Sequence, residues 1–310
     1  MSGISKNTVF IFVLLIQSAY LFGQTNYSWW NHKHDWDGIS HWSKYMILSP
    51  GYLGPNALPV PDMNTGRLTS DARFELGVEG HYSEGDRTAN IYTDLYVPLF
   101  SDRVSFQISY RPIEIYKTDT LTRDIRRSRE YEPSGFSYGD IYTSTLIQII
   151  RDHTYLPDLT ISANIKTASG TNLEGARFTD TPGYWFDATL GKDFRINNSS
   201  LEYIRIYGKG GFYVYQTFDD LHFQNDAILY GAGIGFGLEN LSIQNQLTGF
   251  HGYFNNGDRP VVYRLIIEGN SSSSLTYKVL FQQGLHDYSY TTLRISIMLN
   301  LNTIIAKFNP

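Results

Sequence analysis

Residues 292–302 read Thr-Leu-Arg-Ile-Ser-Ile-Met-Leu-Asn-Leu-Asn, and every second residue from Leu293 to Leu301 is apolar. Residues 159–166 alternate in the same way, with Leu, Ile, Ala and Ile separated by Thr, Ser, Asn and Lys. Successive side chains of a β-strand point to opposite faces, so each stretch predicts a strand with one apolar and one polar face. The alternation recurs through most of the chain after residue 69, which predicts an all-β fold.

Twelve candidate strands follow this pattern. They lie near residues 70–82, 88–99, 103–116, 140–151, 158–168, 183–193, 201–216, 226–238, 241–250, 260–269, 275–285 and 291–302. Their connections alternate between long ones, such as 117–139, and short ones, such as 101–102. A soluble β-sandwich also has alternating strands, but this loop rhythm and an even strand number are typical of barrels that cross the outer membrane. The sequence therefore predicts a transmembrane antiparallel β-barrel of about 12 strands over residues 69–310.

The composition agrees with a barrel and excludes several other classes. Tyr, Phe and Trp make up 15% of the 310 residues, and their rings settle at bilayer interfaces, although a soluble β-rich domain would also be rich in Tyr and Phe. A net charge of -5 and a pI near 5.9 show no bias towards nucleic acid. The chain has no cysteine, which excludes thiolate metal sites, cysteine nucleophiles and disulfides.

The N-terminal 68 residues do not follow the alternation. Residues 1–23 have the features of a secretory signal, with Lys6, an apolar run over 9–16 and small residues up to Gly23. Together with the barrel, this signal predicts the bacterial outer membrane as the location. Residues 24–68 carry several prolines, which forbid a regular ladder, and we expect an irregular segment that is periplasmic or folded into the barrel as a plug.

The polar face of the predicted strands collects charged residues. The lumen-lining candidates are Arg73, Glu75, Asp94, Arg111, Lys166, Asp187, Arg205, Lys209, Arg264, Glu268, Lys278 and Arg294. Glu79 lies on the same face as these twelve residues. One interpretation is a polar pore with a slight anion preference. The other is a closed lumen in which the charges pair, because buried charges must pair or stay hydrated.

Two predicted outer loops are unusual. Residues 123–130 form a basic cluster that could hold anionic lipopolysaccharide or a polyanionic ligand, or could be an ordinary solvated loop. In the loop 169–183, Arg177 and Asp180 could pair and fold the loop inward as a constriction, although packing within the loop would explain them as well.

The sequence has two weak motifs of catalytic or metal-binding type. Residues 251–257 begin with His251 and faintly resemble the His-x-Ser-Asn-Gly run of outer-membrane phospholipases, but the serine nucleophile is missing. His32, His34 and His41 are ligand-type residues, but adjacent residues cannot all converge on one ion, and a polar interfacial segment is the simpler interpretation. We predict no catalytic site, no metal site and no cofactor.

Four short motifs carry a family resemblance. They are Gly139-Asp140, Leu156-Pro157-Asp158, the run Lys166-Thr167-Ala168-Ser169-Gly170, and Gly191-Lys192. This pattern over about residues 135–195 resembles outer-membrane proteins grouped with the meta-pathway of phenol degradation. Ile147-Gln148 departs from it where a basic residue is common. The resemblance implies a barrel and transport of small apolar or aromatic compounds.

The leading functional prediction is a passive channel or transporter for small molecules. The alternative is a barrel without transport that is an interaction or assembly partner, with its lumen blocked by the N-terminal segment. A weaker alternative is an outer-membrane lipid hydrolase. The expected partners are outer-membrane lipid or lipopolysaccharide and a small solute, with no nucleic acid.

Overall fold

A computed structural model of the chain describes residues 26–99, 102–196, 200–269 and 274–302. The predicted signal segment, 1–23, lies outside the described residues. The chain divides into a small unit that ends at Ser40 and a large unit from His41 onward. In the small unit, Ser28–Lys33 forms helix α1. Among the described residues no helix is both long enough and apolar enough to cross a membrane.

The large unit is built mainly from antiparallel strands. A short 3-10 helix, Trp42–Tyr45, precedes them, and helix α2, Thr120–Ile125, lies between β4 and β5. The strands are β1 Arg73–Ser83, β2 Asp86–Pro98, β3 Val104–Tyr110, β4 Glu114–Thr118, β5 Ser134–Ser137, β6 Ile141–Ile150, β7 Asp158–Lys166, β8 Gly183–Arg195, β9 Leu201–Gln216, β10 Gln224–Leu238, β11 Leu241–His251, β12 Val261–Gly269, β13 Leu275–His286 and β14 Thr291–Asn300.

The strands close into a barrel because β1 pairs with both β2 and β14. Strands β3 and β4 lie end to end against β2, and β5 and β6 lie end to end against them. Each of these two pairs counts as one long strand, so the described part of the chain forms a closed antiparallel barrel of twelve strands. This confirms the predicted fold class.

The third predicted strand, 103–116, is interrupted by a β-bulge. Two residues of β2, Ile91 and Tyr92, face the three residues 111–113 between β3 and β4. Pro112 sits in the bulge, where the missing backbone N–H is tolerated. The predicted loop 117–139 is wrong in part, since residues 134–137 form β5 and 120–125 form α2. Strand β5 reads Ser-Gly-Phe-Ser and has one apolar side chain, so it shows no alternation that would mark it as a strand.

The two faces of the barrel wall differ as the alternation predicts. On β1, Val78 is 62% exposed on the outer face, whereas its neighbour Glu79 is buried inside. On β14, Ile295 is exposed and Arg294 is buried. The apolar face therefore points outward and the charged face points into the lumen.

Residues 49–68 run through the lumen, and we call them the lumen plug. At one end, the Gly51 N–H donates to the carbonyl oxygen of Gly257 in the long β11–β12 loop, at 3.1 Å. At the other end, the Leu68 N–H donates to the side-chain oxygen of Gln148, near the end of β6, at 2.8 Å. The plug thus extends from the long-loop end of the barrel to the short-turn end. Its apolar side chains pack in the long-loop half on inward aromatic residues, and this cluster includes Leu53, Ala57, Leu58, Val60, Tyr213, Tyr215, Phe250, Tyr288 and Tyr290.

Candidate functional site

Cations on the barrel wall hold the plug by its backbone carbonyl oxygens. Arg264 on β12 donates from Nη2 to the oxygen of Val60 at 2.6 Å. Lys209 on β9 donates from Nζ to the oxygen of Asp62, also at 2.6 Å. Charged donors make stronger hydrogen bonds than neutral ones, so these two contacts fix the middle of the plug.

A cavity of about 280 Å³ remains between the plug and the wall. Plug residues from Pro55 to Asn64 line one side of it, and inward side chains of the strands line the other. Eight of the twelve predicted lumen-lining residues face this cavity, namely Glu75, Asp94, Arg111, Asp187, Arg264, Glu268, Lys278 and Arg294. The cavity wall therefore carries both signs of charge.

The charges nearest the short-turn end pair between strands that are not adjacent, β1 with β12 and β1 with β13. Arg73 Nη1 lies 2.9 Å from Glu268 Oε1, and Lys278 Nζ lies 3.1 Å from Glu75 Oε2. Three of these four side chains are about one fifth exposed, and Glu75 is 6% exposed. This half of the lumen is in contact with solvent.

Deeper in the lumen, one carboxylate is shared by two arginines. Glu79 lies 2.9 Å from Arg111 Nε and 3.3 Å from Arg294 Nη1. The Arg294 guanidinium also lies 3.9 Å from the ring centroid of Tyr92, which is a cation–π distance. These charges are compensated inside the barrel, as the closed-lumen interpretation requires.

Asp94 differs from the other cavity carboxylates. Its Oδ2 accepts a hydrogen bond from Gln107 Nε2 at 2.8 Å, and no cation lies within 4 Å of it among the described residues. The side chain faces the cavity and is therefore a carboxylate that a solute could contact.

The long-loop end is closed by a buried hydrogen-bonded network, which we call the outer seal. Arg177, from the β7–β8 loop, places Nη1 2.8 Å from Asp86 Oδ2 and Nε 2.7 Å from Glu114 Oε1. Arg126 Nη1 and the Tyr290 hydroxyl reach the same Asp86 oxygen at 2.5 and 2.6 Å. Arg177, Asp86 and Glu114 have no exposed side-chain surface.

The charge of Arg177 is stabilised in this buried place. Burial alone would disfavour the charged guanidinium, but the carboxylates of Glu114 and Asp86 outweigh it and hold the pKa of Arg177 above its ordinary value. The two carboxylates therefore favour the charged form of this arginine.

The plug is part of the outer seal. Asn56 donates from Nδ2 to Glu114 Oε2 at 2.6 Å. The Gly54 N–H donates to the oxygen of Ala176, at 2.8 Å. A Cβ on Gly54 would lie only 2.6 Å from Cζ of Arg177, so the guanidinium passes where any larger residue would have its side chain. Plug and loop are locked to each other as well as to the wall.

The structure revises the predictions for the two outer loops. Arg177 enters the lumen and binds Asp86 and Glu114, whereas Asp180 is exposed, so the predicted pairing with Asp180 is replaced by pairing with the wall. In the basic cluster 123–130, Arg126 is buried in the outer seal and Arg127 donates to the oxygen of Tyr45 at 3.1 Å. At least these two arginines fasten the loop to the barrel mouth.

Lys166 and Arg205, two further predicted lumen residues, do not line the cavity. Lys166 Nζ lies 2.8 Å from Asp140 Oδ2 and both side chains are fully buried. Arg205 contacts Asp158 at 2.8 Å and Asp193 at 2.6 Å, and its Nε donates to a plug carbonyl. These two cations support the ends of the barrel.

Sequence reasoning missed Asp86 and Glu114, the two anions of the outer seal. Glu114 follows the bulge at residues 111–113, which moves it from the face expected for an unbroken strand to the inner face. Asp86 lies on the inward parity of β2, two strand positions before the predicted start of that strand. The proline at 112 was a signal for the bulge.

The weak catalytic motif begins at a surface residue. His251 is exposed at the end of β11. Within the described ranges, no three His, Cys, Asp or Glu side chains come together in a way that could hold a metal ion. The geometry thus concentrates the chemistry of the large unit in the lumen.

No family model matches the chain, and no curated protein matches it. Among solved structures, an outer membrane channel from Pseudomonas putida F1 is 12% identical, with a TM-score of 0.52, and the match covers 77% of this chain and 99% of that one. The NanC porin is 11% identical with a TM-score of 0.45, over 72% of this chain and 98% of that one. LpxR from Salmonella typhimurium is 8% identical with a TM-score of 0.46, over 73% and 99%. The first likeness shows that the chain has the barrel fold of an outer-membrane channel, and the predicted family resemblance stays a prediction.

Proposed function

We propose that this barrel lies in the outer membrane and is a passive channel for small polar solutes, with the lumen plug as the part that must move. The observation that carries the proposal is the cavity between plug and wall, lined by charges of both signs and by Asp94, which has no cation within 4 Å among the described residues. Such a lining keeps water in the cavity and offers hydrogen-bond partners, so it binds polar solutes better than apolar ones. The apolar or aromatic cargo implied by the family resemblance fits this lining less well.

The way the plug is held supports its mobility. None of the described residues 49–68 is in a strand, and Pro50, Pro55, Pro59 and Pro61 have no backbone N–H to give to a ladder. The barrel closes through β1 and β14 without any contribution from the plug. Displacing the plug therefore breaks its bonds to wall side chains but leaves the backbone hydrogen bonds between the strands intact.

The outer seal favours a second function. Arg177, Asp86 and Glu114 are completely buried, so the lumen is closed at the long-loop end. A permanently closed barrel would be an interaction or assembly partner rather than a channel. A lipid hydrolase is not proposed, because the run that begins with His251 lacks the serine nucleophile of the phospholipase motif.

Single-channel conductance in planar bilayers distinguishes the two functions. The full chain is compared with a variant that lacks residues 24–62 and keeps Arg67 and Leu68, which bind the short-turn end. We expect rare, small openings from the full chain and a conductance several-fold larger from the variant. Retarded migration of the boiled against the unboiled protein on gels checks that both are folded. Silence from a folded variant would overturn the channel and leave the closed barrel.

A further inference from the structure

Two cations face each other on the outer surface of the barrel at the long-loop end. Arg87 on β2 and Lys117 on β4 are register partners, and both side chains are exposed on the outward face. We call them the rim pair. Their register neighbours on either side are Tyr82 on β1 and Ser134 on β5.

The rim pair is uncompensated within the protein. Like charges directly opposite each other on neighbouring strands destabilise a sheet. Among the described residues, no carboxylate lies within 4 Å of either cation, whereas other exposed cations such as Lys44 have such a partner. Asp86, next to Arg87 in the chain, points inward into the outer seal. Glu84 lies in the β1–β2 turn, and Asp119 caps α2 by accepting from the Thr122 N–H. An anion from outside the chain would relieve the repulsion.

The position of the rim pair on the wall indicates what kind of anion this is. Towards the middle of the barrel, the next outward residues are Ala89 and Ile91 on β2 and Ile115 on β4, and Ile115 is 60% exposed. The pair therefore forms the first charged row beyond the apolar belt. Lys and Arg in such a row keep their stems on the apolar surface and their charges at the level of lipid headgroups.

Tyr82 orients one of the two cations. The Arg87 guanidinium lies 5.8 Å from the centroid of the Tyr82 ring, within the range of a cation–π contact. A guanidinium held in this way presents its planar fork for two parallel hydrogen bonds to one phosphate, and the Lys117 ammonium adds a point charge. We propose that the rim pair binds the phosphate group of a membrane lipid in the leaflet at the long-loop end. The proposal rests on the membrane location of the proposed function, but not on transport.

Lipid binding by the purified full chain in a neutral detergent tests this proposal. The probe is phosphatidic acid, the control lipid is diacylglycerol with the same chains, and native mass spectrometry counts the bound lipid. For the variant R87Q/K117Q we expect binding of phosphatidic acid to weaken about 30-fold. This is the effect of removing two cations that each contribute about 1 kcal/mol at a membrane surface. Each single variant should lose part of this, and R195Q, which removes an exposed cation at the opposite end of the barrel, should lose nothing.

Thermal unfolding gives a readout whose sign depends on the proposal. In neutral detergent K117Q should melt at a higher temperature than the parent, because the repulsion is gone. With phosphatidic acid the parent should gain stability and K117Q should gain much less. Equal binding of both lipids, equal binding by parent and double variant, or displacement by inorganic phosphate at the same concentration would each overturn the lipid site. The conductance of the folded variant R87Q/K117Q should equal that of the parent. Loss of lipid binding can then be distinguished from loss of transport.

Discussion

Replacing Gly54 by alanine should loosen the lumen plug without disturbing the barrel wall. The backbone of Gly54 lies outside the left-handed region, so alanine can adopt it, but the new Cβ would lie 2.6 Å from Cζ and 2.9 Å from Nε of Arg177. The guanidinium would then have to leave Asp86 or Glu114. Overpacking of a filled interior costs about 1–3 kcal/mol, and we expect the free energy of plug displacement to fall by this amount.

The chain has no cysteine, so a single reporter thiol can measure plug displacement. Ala57 is fully buried in the plug, and A57C should react with a maleimide only when the plug leaves the lumen. A loss of 1–3 kcal/mol corresponds to a labelling rate about 5- to 150-fold faster in G54A/A57C than in A57C. The matched control is G80A/A57C, because a Cβ on Gly80 meets no atom within 4 Å. Equal labelling rates for G54A/A57C and A57C would refute the contribution of Gly54 to the outer seal.

Three further predictions concern the wall and the cavity. K166M should lower the free energy of unfolding in urea by about 3–5 kcal/mol, because Asp140 would stay buried without its partner; K166M/D140N should recover a large part, and no recovery would contradict this. G211A should destabilise the barrel by at least about 1 kcal/mol, since its Cβ would lie 2.2 Å from a backbone oxygen, whereas G210A, with nothing within 4 Å, should be neutral in the same melt. In the plug-deleted variant, D94N should shift the reversal potential towards anion selectivity, and a shift in the opposite direction would count against the lining.

The strands and their two faces could be predicted from the sequence because a membrane barrel repeats one simple rule. Each strand alternates with period two, so Val78 and Glu79 reveal their faces without knowledge of their partners. The rule fails where one residue is inserted. The bulge at residues 111–113 shifts the alternation by one residue. Glu114 therefore points into the lumen, although the unbroken alternation predicts that it points outward.

The outer seal could not be predicted because its members are distant in sequence and its two arginines belong to loops. Arg177 and Asp86 are 91 positions apart and meet only when the β7–β8 loop folds inward. The sequence predicted that Arg177 could fold its loop inward, but with Asp180 as its partner. Asp180 is close in sequence, and only such local pairs can be inferred from a single sequence. Irregular segments such as the plug have no period from which contacts could be inferred.

The path of the plug constrains the order in which the molecule assembles. Lys44, which precedes the plug, lies at the long-loop end and pairs with Asp220 at 2.5 Å, while β1 begins at the short-turn end. The chain thus passes through the barrel that its own strands form, and the barrel is closed by the pairing of β1 with β14. Pushing the preceding residues through a finished ring would require them to pass the buried arginines one by one. The simpler route is for the sheet to form around the plug and for β14 to pair with β1 as the final step. The plug would then be in place before the barrel closes.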